Sequence, residues 1–225
     1  DKLAASKKEL AEQTSIFITE GDSASGTITK ARNAETQAVF SLRGKPINCY
    51  KESRKKVAEN EELNLLINAL GLEDDIENLR YKKIIVATDA DDDGMHIRML
   101  VLTFFMKYYP DLIRRGHVYI LQTPLFRVKN KKEVRYCYNI EEKDKAVSAL
   151  KTGVEITRFK GLGEISSNEF EDFIGEGMRL DKVKLSDEES IAEIMEFYMG
   201  DNTIDRQNFI RQHLRSEAEL EDVNI

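Results

Sequence analysis

The 225 residues carry 34 Lys+Arg against 41 Asp+Glu, a formal net charge of −7, and 41% of them are hydrophobic. There is apolar material for one sizeable core or two small ones, and the charge argues against a free-standing nucleic-acid binder. The acid is uneven: residues 160–225 hold 7 bases against 17 acids and residues 1–159 hold 27 against 24, so the first part suits a polyanion better and the tail suits solvent or a protein partner.

Residues 3–13 read as a helix. The sequence opens at Asp1 inside it, with no initiator methionine and no signal peptide, so a longer parent protein is expected. "SIFITE" (15–20) is a short apolar strand ending in Glu20. "DSASGTITKARN" turns into a helix that Asp22 or Ser23 can cap. "QAVFSL" (37–42) is a second strand, and "RGKPIN" is a loop. Leucine-type residues at helical spacing predict a helix over 59–71, stopped at Gly71.

"KKIIVATD" (82–89) is apolar without alternation, which suits a parallel strand covered on both faces. The helix expected over 94–109 is apolar almost all round and therefore buried. It does not read as a membrane span, because Arg98, Thr103 and Lys107 interrupt the apolar stretch. "HVYILQ", "LFRVK" and "EVRYCYN" are further strands. "EITRFKGLGE" and helices near 165–175, 187–199 and 203–216 complete the chain. Strands alternating with helices predict an α/β sheet, mostly parallel, with an appended, acidic and largely helical C-terminal subdomain. The expected division is 1–128 and 129–225. Cys49 and Cys137 are far apart and form no CxxC, which excludes a cysteine-built zinc site and suggests a reducing compartment.

The conspicuous stretch is "VATDADDDG" (86–94), four aspartates in five positions where a buried strand surfaces. Carboxylates so close repel one another and raise each other's pKa unless a cation sits among them. An EF-hand loop would use Asp89, Asp91, Asp93 and Gly94, but its twelfth position is Leu100 rather than Glu, and a strand enters instead of a helix. A solvated surface turn is the plain alternative. Against it, ligand sites in open parallel sheets form at the carboxyl ends of strands, where both Asp89 and Glu20 stand. Hard oxygen donors of this kind suit Mg²⁺. In an extended segment Asp89, Asp91 and Asp93 share a face and Asp92 points away. The expected ligands are Asp89 and Asp91, with Glu20 across the sheet and Asp93 as an adjunct.

A lone Glu after one strand and DxD after a later one resemble the Toprim fold of topoisomerases and primases. The longer strings "EGDSASG" (20–26), "LRGKPIN" (42–48), "LRYKKIIVATDADDDGMHIRMLVLTFF" (79–105), "GHVYILQTPLFRV" (116–128), "RFKGLGE" (158–164) and "MGDNTIDRQNFI" resemble the B subunits of bacterial type IIA topoisomerases, gyrase and topoisomerase IV. Ser25 and Ser41 depart from the commoner Gly and Pro of the family, and the wording is nearer to topoisomerase IV.

The resemblance implies a Rossmann-like Toprim core and Mg²⁺, with Mn²⁺ or Ca²⁺ able to replace it in binding. Glu20, Asp89 and Asp91 are the implied catalytic and metal residues. Double-stranded DNA is the implied substrate. The implied partner is an A subunit carrying the nucleophilic tyrosine, in an A2B2 tetramer in the bacterial cytoplasm on the nucleoid, with no membrane role. ATP belongs to a separate N-terminal domain. Arg43, Lys45, Lys160 and His96 are implied DNA contacts, and Asp22 with Arg43 an implied drug pocket. Solvated loop bases at Arg43 and Lys45, a surface lysine at Lys160 and a structural His96 beside Asp93 are the plainer alternatives. A primase, a small Toprim nuclease and a non-catalytic interaction module are the competing functions.

Overall fold

In a computed structural model of the chain, residues 11–73, 75–185, 188–201 and 204 are described. The helices expected over 3–13 and 203–216 therefore lie almost wholly outside the described residues.

Five strands form the main sheet in the order β2-β1-β3-β4-β8. β1 (Ser15–Glu20) lies between β2 (Gln37–Leu42) and β3 (Lys83–Ala87) and is parallel to both. β4 (Val118–Gln122) continues the parallel run, and β8 (Arg179–Lys182) closes the edge antiparallel to it. β1 and β2 coincide with the predicted strands. The unbroken apolar runs of β1 and β3 are buried on both faces, as their patterns implied.

The pleat sends alternate residues of one strand to opposite faces. Ile16 and Ile18 of β1, with Ile84 and Val86 of β3, join a core with α3 (Glu61–Leu70) and α4 (Asp92–Tyr108). Phe17 and Ile85 join a second core on the other face with α1 (Gly21–Ala31) and α7 (Ser167–Ile174). Burying an Ile or Phe side chain contributes about 1.5–3 kcal/mol, so the central strands are held from both sides. Gly71 ends α3 in the left-handed region, φ 77°, the stop its sequence position predicted.

A second, antiparallel sheet has the order β6-β5-β7: β6 (Val134–Cys137), β5 (Phe126–Lys129) and β7 (Glu155–Arg158). α6 (Ile140–Leu150) covers it through Ala146 and Leu150. The sequence does not predict this helix, because "IEEKDKAVSAL" has almost no apolar stripe. Its start is nevertheless marked: the Asn139 side chain caps it by accepting from Glu142 N at 2.8 Å.

Three other elements differ from expectation. α2 (Arg54–Glu59), capped by Ser53, precedes α3. α5 (Pro110–Arg114) follows α4, with Pro at its start. β8 is mostly charged and does not read as a strand in the sequence, because an exposed edge demands little apolar pattern. α1 starts at Gly21, so Glu20 occupies the N-cap position without a side-chain cap bond, and neither Asp22 nor Ser23 caps the helix. α8 (Glu188–Met199) matches the predicted helix near 187–199.

Candidate metal centre at the carboxyl edge of the parallel sheet

Thr19 of β1 stands beside Ala87 of β3, so the next residues of both strands leave the sheet at one edge. Glu20 emerges from β1, and Thr88 and Asp89 emerge from β3. On the other side Glu20 pairs with Leu42, which places the start of the 43–48 loop at the same edge. The parallel strands thus bring Glu20, the aspartates and Lys45 together, with Arg43 at the start of the neighbouring loop.

Glu20 is half-buried, and its Oε2 is buried without a hydrogen-bond partner. Its pKa is raised, first by burial and then by the charges of Asp89, Asp91 and Asp93, with Lys45 opposing. Asp89 is also raised by burial and by Asp91 and Glu164, although its Oδ1 accepts from Leu162 N at 2.8 Å. Four carboxylates share one field, and one of them has an orphaned oxygen. An unpaired buried carboxylate oxygen costs free energy that a proton, a cation or a hydrogen-bond donor would offset.

The aspartates do not alternate as expected. The extended segment ends at Asp91, which is the N-cap of α4 and accepts from Gly94 N at 2.8 Å. Asp92 and Asp93 already belong to the first helical turn, so period-two reasoning fails beyond Asp91. Asp93 is tied to Lys45 Nζ at 2.6 Å, which holds its carboxyl below the usual range. Asp92 is exposed. Among the described residues no three His, Cys, Asp or Glu side chains form a ready-made metal cluster. Glu20, Asp89 and Asp91 are hard oxygen donors, and a cation held by them would keep positions open for water or phosphate. The orphaned Glu20 oxygen fits such an ion.

Residues 158–164 form a cradle behind Asp89. A Cβ on Gly161 would stand 2.8 Å from Asp89 Oδ2, and one on Gly163 would strike Ser23 Oγ. The two glycines imply a close approach in the sequence, and the approach seen is to Asp89 and to α1. Glu164 accepts from Lys160 N at 2.9 Å and closes the turn. The sequence does not single out Leu162 and Glu164 as individual site residues. The glycine spacing is the available signal, but the partner lies 73 residues away.

The remaining candidates sit around this edge. Lys160 is exposed and has no ion-pair partner among the described residues. Arg43 is exposed, with its backbone N donating to Glu62 Oε1 at 2.8 Å. His96 is exposed on α4, where its charge favours ionised Asp93. Asp22 is exposed in the first turn of α1.

Residues 15–123 match the Toprim domain family, and residues 151–211 match the family of the DNA gyrase B subunit carboxyl terminus. The B subunit of DNA topoisomerase 4 from Borreliella burgdorferi is 56% identical over 204 residues, covering 90% of this chain and 34% of that protein. The DNA gyrase B subunit of Thermus thermophilus is 41% identical over 231 residues, covering 98% and 36%. A crystal structure of the Plasmodium falciparum topoisomerase II DNA-binding, cleavage and re-ligation domain superposes with TM-score 0.77 at 24% identity, over 92% of this chain and 30% of that one. This last likeness concerns the fold. The chain spans about a third of the length of these relatives. The chain thus carries a Toprim domain over residues 15–123, followed over residues 151–211 by a region of the DNA gyrase B carboxyl-terminal family.

Proposed function

We propose that the chain is the metal-holding part of a type IIA topoisomerase, a topoisomerase IV rather than a gyrase. In this reading it cleaves and religates double-stranded DNA with an A subunit that carries the nucleophilic tyrosine, in an A2B2 assembly. ATP is hydrolysed by a domain outside this sequence, and the enzyme works in the bacterial cytoplasm on the nucleoid. The observation that carries the reading is the orphaned, buried Oε2 of Glu20 in the field of Asp89 and Asp91. The higher identity to the topoisomerase 4 protein than to the gyrase of Thermus thermophilus supports the choice of enzyme.

Glu20, Asp89 and Asp91 would hold Mg²⁺, with Asp93 as an adjunct. When bound, the ion offsets charge on the scissile phosphate and on the departing 3′ oxygen. The protein's own groups do the rest. The cap bond fixes Asp91 and the Leu162 amide fixes Asp89, so neither must reorganise. Glu20 is also the acid that gives a proton to the 3′ oxygen and takes it back on religation; its raised pKa belongs to the site without an ion, and a bound cation lowers it. Arg43, Lys45 and Lys160 supply positive charge where the acids alone would repel a DNA backbone.

The test is to combine the full-length protein with a compatible A subunit and supercoiled plasmid. Mg²⁺-dependent cleavage with protein covalently on the 5′ ends is expected, and none from the chain alone. Cleavage by the chain alone would point to a Toprim nuclease instead.

A further inference from the structure

Lys107 stands near the C-terminal end of α4, about 21 Å along the helix axis from Asp93 by the rise of 1.5 Å per residue. Its Nζ donates to the carbonyls of Cys49 at 2.9 Å, Tyr50 at 2.7 Å and Glu52 at 2.9 Å. All three ammonium protons are used, none on a carboxylate among the described residues. The next residue, Tyr108, donates its hydroxyl to the same Glu52 carbonyl at 2.6 Å. The rings of Tyr50 and Tyr108 flank the ammonium, with centroids 6.0 and 5.3 Å away. Three carbonyls converging on one point would repel one another without a cation. The lysine therefore ties down a turn whose own backbone bonds, Lys51 N to Asn48 O at 3.4 Å and Glu52 N to Cys49 O at 3.3 Å, are long.

That turn ends the loop which begins at Arg43 and Lys45. At its other end Lys45 is bonded to Asp93, in the first turn of the same helix. One rigid element thus grips the loop at both ends, next to the acids through Asp93 and far from them through Lys107. We propose that Lys107 is a positioning residue for cleavage. It fixes the 43–52 loop on α4 so that Arg43 and Lys45 are presented at the acid edge. The claim about cleavage rests on the topoisomerase reading; the claim about the loop does not.

The two cysteines report on it. Cys49 lies inside the clamp, fully buried, and burial pushes its thiol up to about 11. Cys137 is buried in the separate core of the second sheet. At pH 8 both react with a thiol reagent only when their surroundings open.

In Lys107→Met the apolar stem survives and the three donors are lost. Labelling of Cys49 should accelerate about tenfold or more, a shift of about 1.4 kcal/mol in local opening, while Cys137 keeps its rate. Lys107→Ala should behave alike, and propylammonium, which replaces the deleted atoms, should slow Cys49 labelling again. In the enzyme assembled with its A subunit, cleavage should fall in the Ala variant and recover with propylammonium. Equal acceleration of both cysteines, no acceleration, or no response to the amine would overturn the clamp. Faster Cys49 labelling with normal cleavage would overturn its role in positioning the site. A wild-type enzyme that does not cleave would sink the topoisomerase reading and the cleavage half of the proposal with it, while the labelling result would still decide the clamp.

Discussion

Two glutamates show how differently this fold treats the same chemistry. Glu20 at the open edge of the main sheet has a buried oxygen with no partner and a raised pKa. Glu169 in α7 accepts from Arg127 Nη1 at 2.7 Å, Tyr136 Oη at 2.6 Å and Ser166 Oγ at 2.6 Å. Burial pushes Glu169 up, but the bonds from Ser166, Tyr136 and Arg127 outweigh it and bring it down to about 2. Glu169 joins α7 to β5 and β6 and completes the capping box at Ser166. One carboxylate is over-supplied with donors and acts as a joint. The other is left with an unfavourable field that a ligand can relieve, which is where function is found in folds otherwise well satisfied.

The largest effect expected from breaking this contrast is on chemistry. Glu20→Gln should lower DNA cleavage about 10²–10⁴-fold if Glu20 moves the proton. Replacing the bridging 3′ oxygen by sulfur, which hardly needs protonation, should then restore most of the rate. A defect of the same size on both substrates would leave Glu20 only a ligand role. Unfolding without metal should not be eased, because the substitution removes repulsion.

The next effect is on stability, and its pH signs are opposite at the two sites. Glu169 has a folded pKa below its unfolded value, so its contribution is full above about 4.5 and is lost as pH falls through about 2. Glu169→Gln should cost about 3 kcal/mol at neutral pH, at 1.36 kcal/mol per pKa unit, and the cost should shrink in acid. Glu20 has a folded pKa above its unfolded value, so ionising it destabilises, and the penalty grows as pH rises through its raised value. Urea titrations of both variants between pH 3 and 8 would show the two trends; parallel trends would refute the contrast.

Smaller effects sharpen it. Gly161→Ala places a Cβ against Asp89 Oδ2, while the backbone there, φ −133°, accepts any residue. Metal affinity should fall about tenfold, or about 1.4 kcal/mol, with little loss of stability. A stability loss without a metal effect would mean that the loop merely packs. Asp92→Asn should change neither metal binding nor cleavage measurably, because the charges that act on Glu20 are those of Asp89, Asp91 and Asp93 and not that of Asp92. An effect equal to that of Asp91→Asn would remove the distinction between the two aspartates.

Much of the main sheet is legible in the sequence because parallel strands buried on both faces need unbroken apolar runs. "SIFITE" and "KIIVA" are such runs, whereas "QAVFSL" at the edge is half-exposed up to Leu42. The acid edge is legible for the same reason, since Glu20 and Asp89 end runs that lie side by side. What sequence does not supply is pairing across distance. Nothing local announces that Lys45 will take Asp93, that the Leu162 amide will hold Asp89, or that Lys107 will gather three carbonyls. The helix at 140–150 and the strand at 179–182 escape because half-exposed elements carry weak apolar periodicity.

The central claim is that Glu20, Asp89 and Asp91 form a cation site whose repulsion the ion relieves. Thermal unfolding of the chain at pH 7, with and without excess Mg²⁺, tests it most directly in wild type and Glu20→Gln. A ligand that binds only the folded state must raise the midpoint. The wild type should rise with Mg²⁺, and Glu20→Gln should start no lower and respond little. An equal Mg²⁺ response in both proteins, or none in the wild type, would contradict the account.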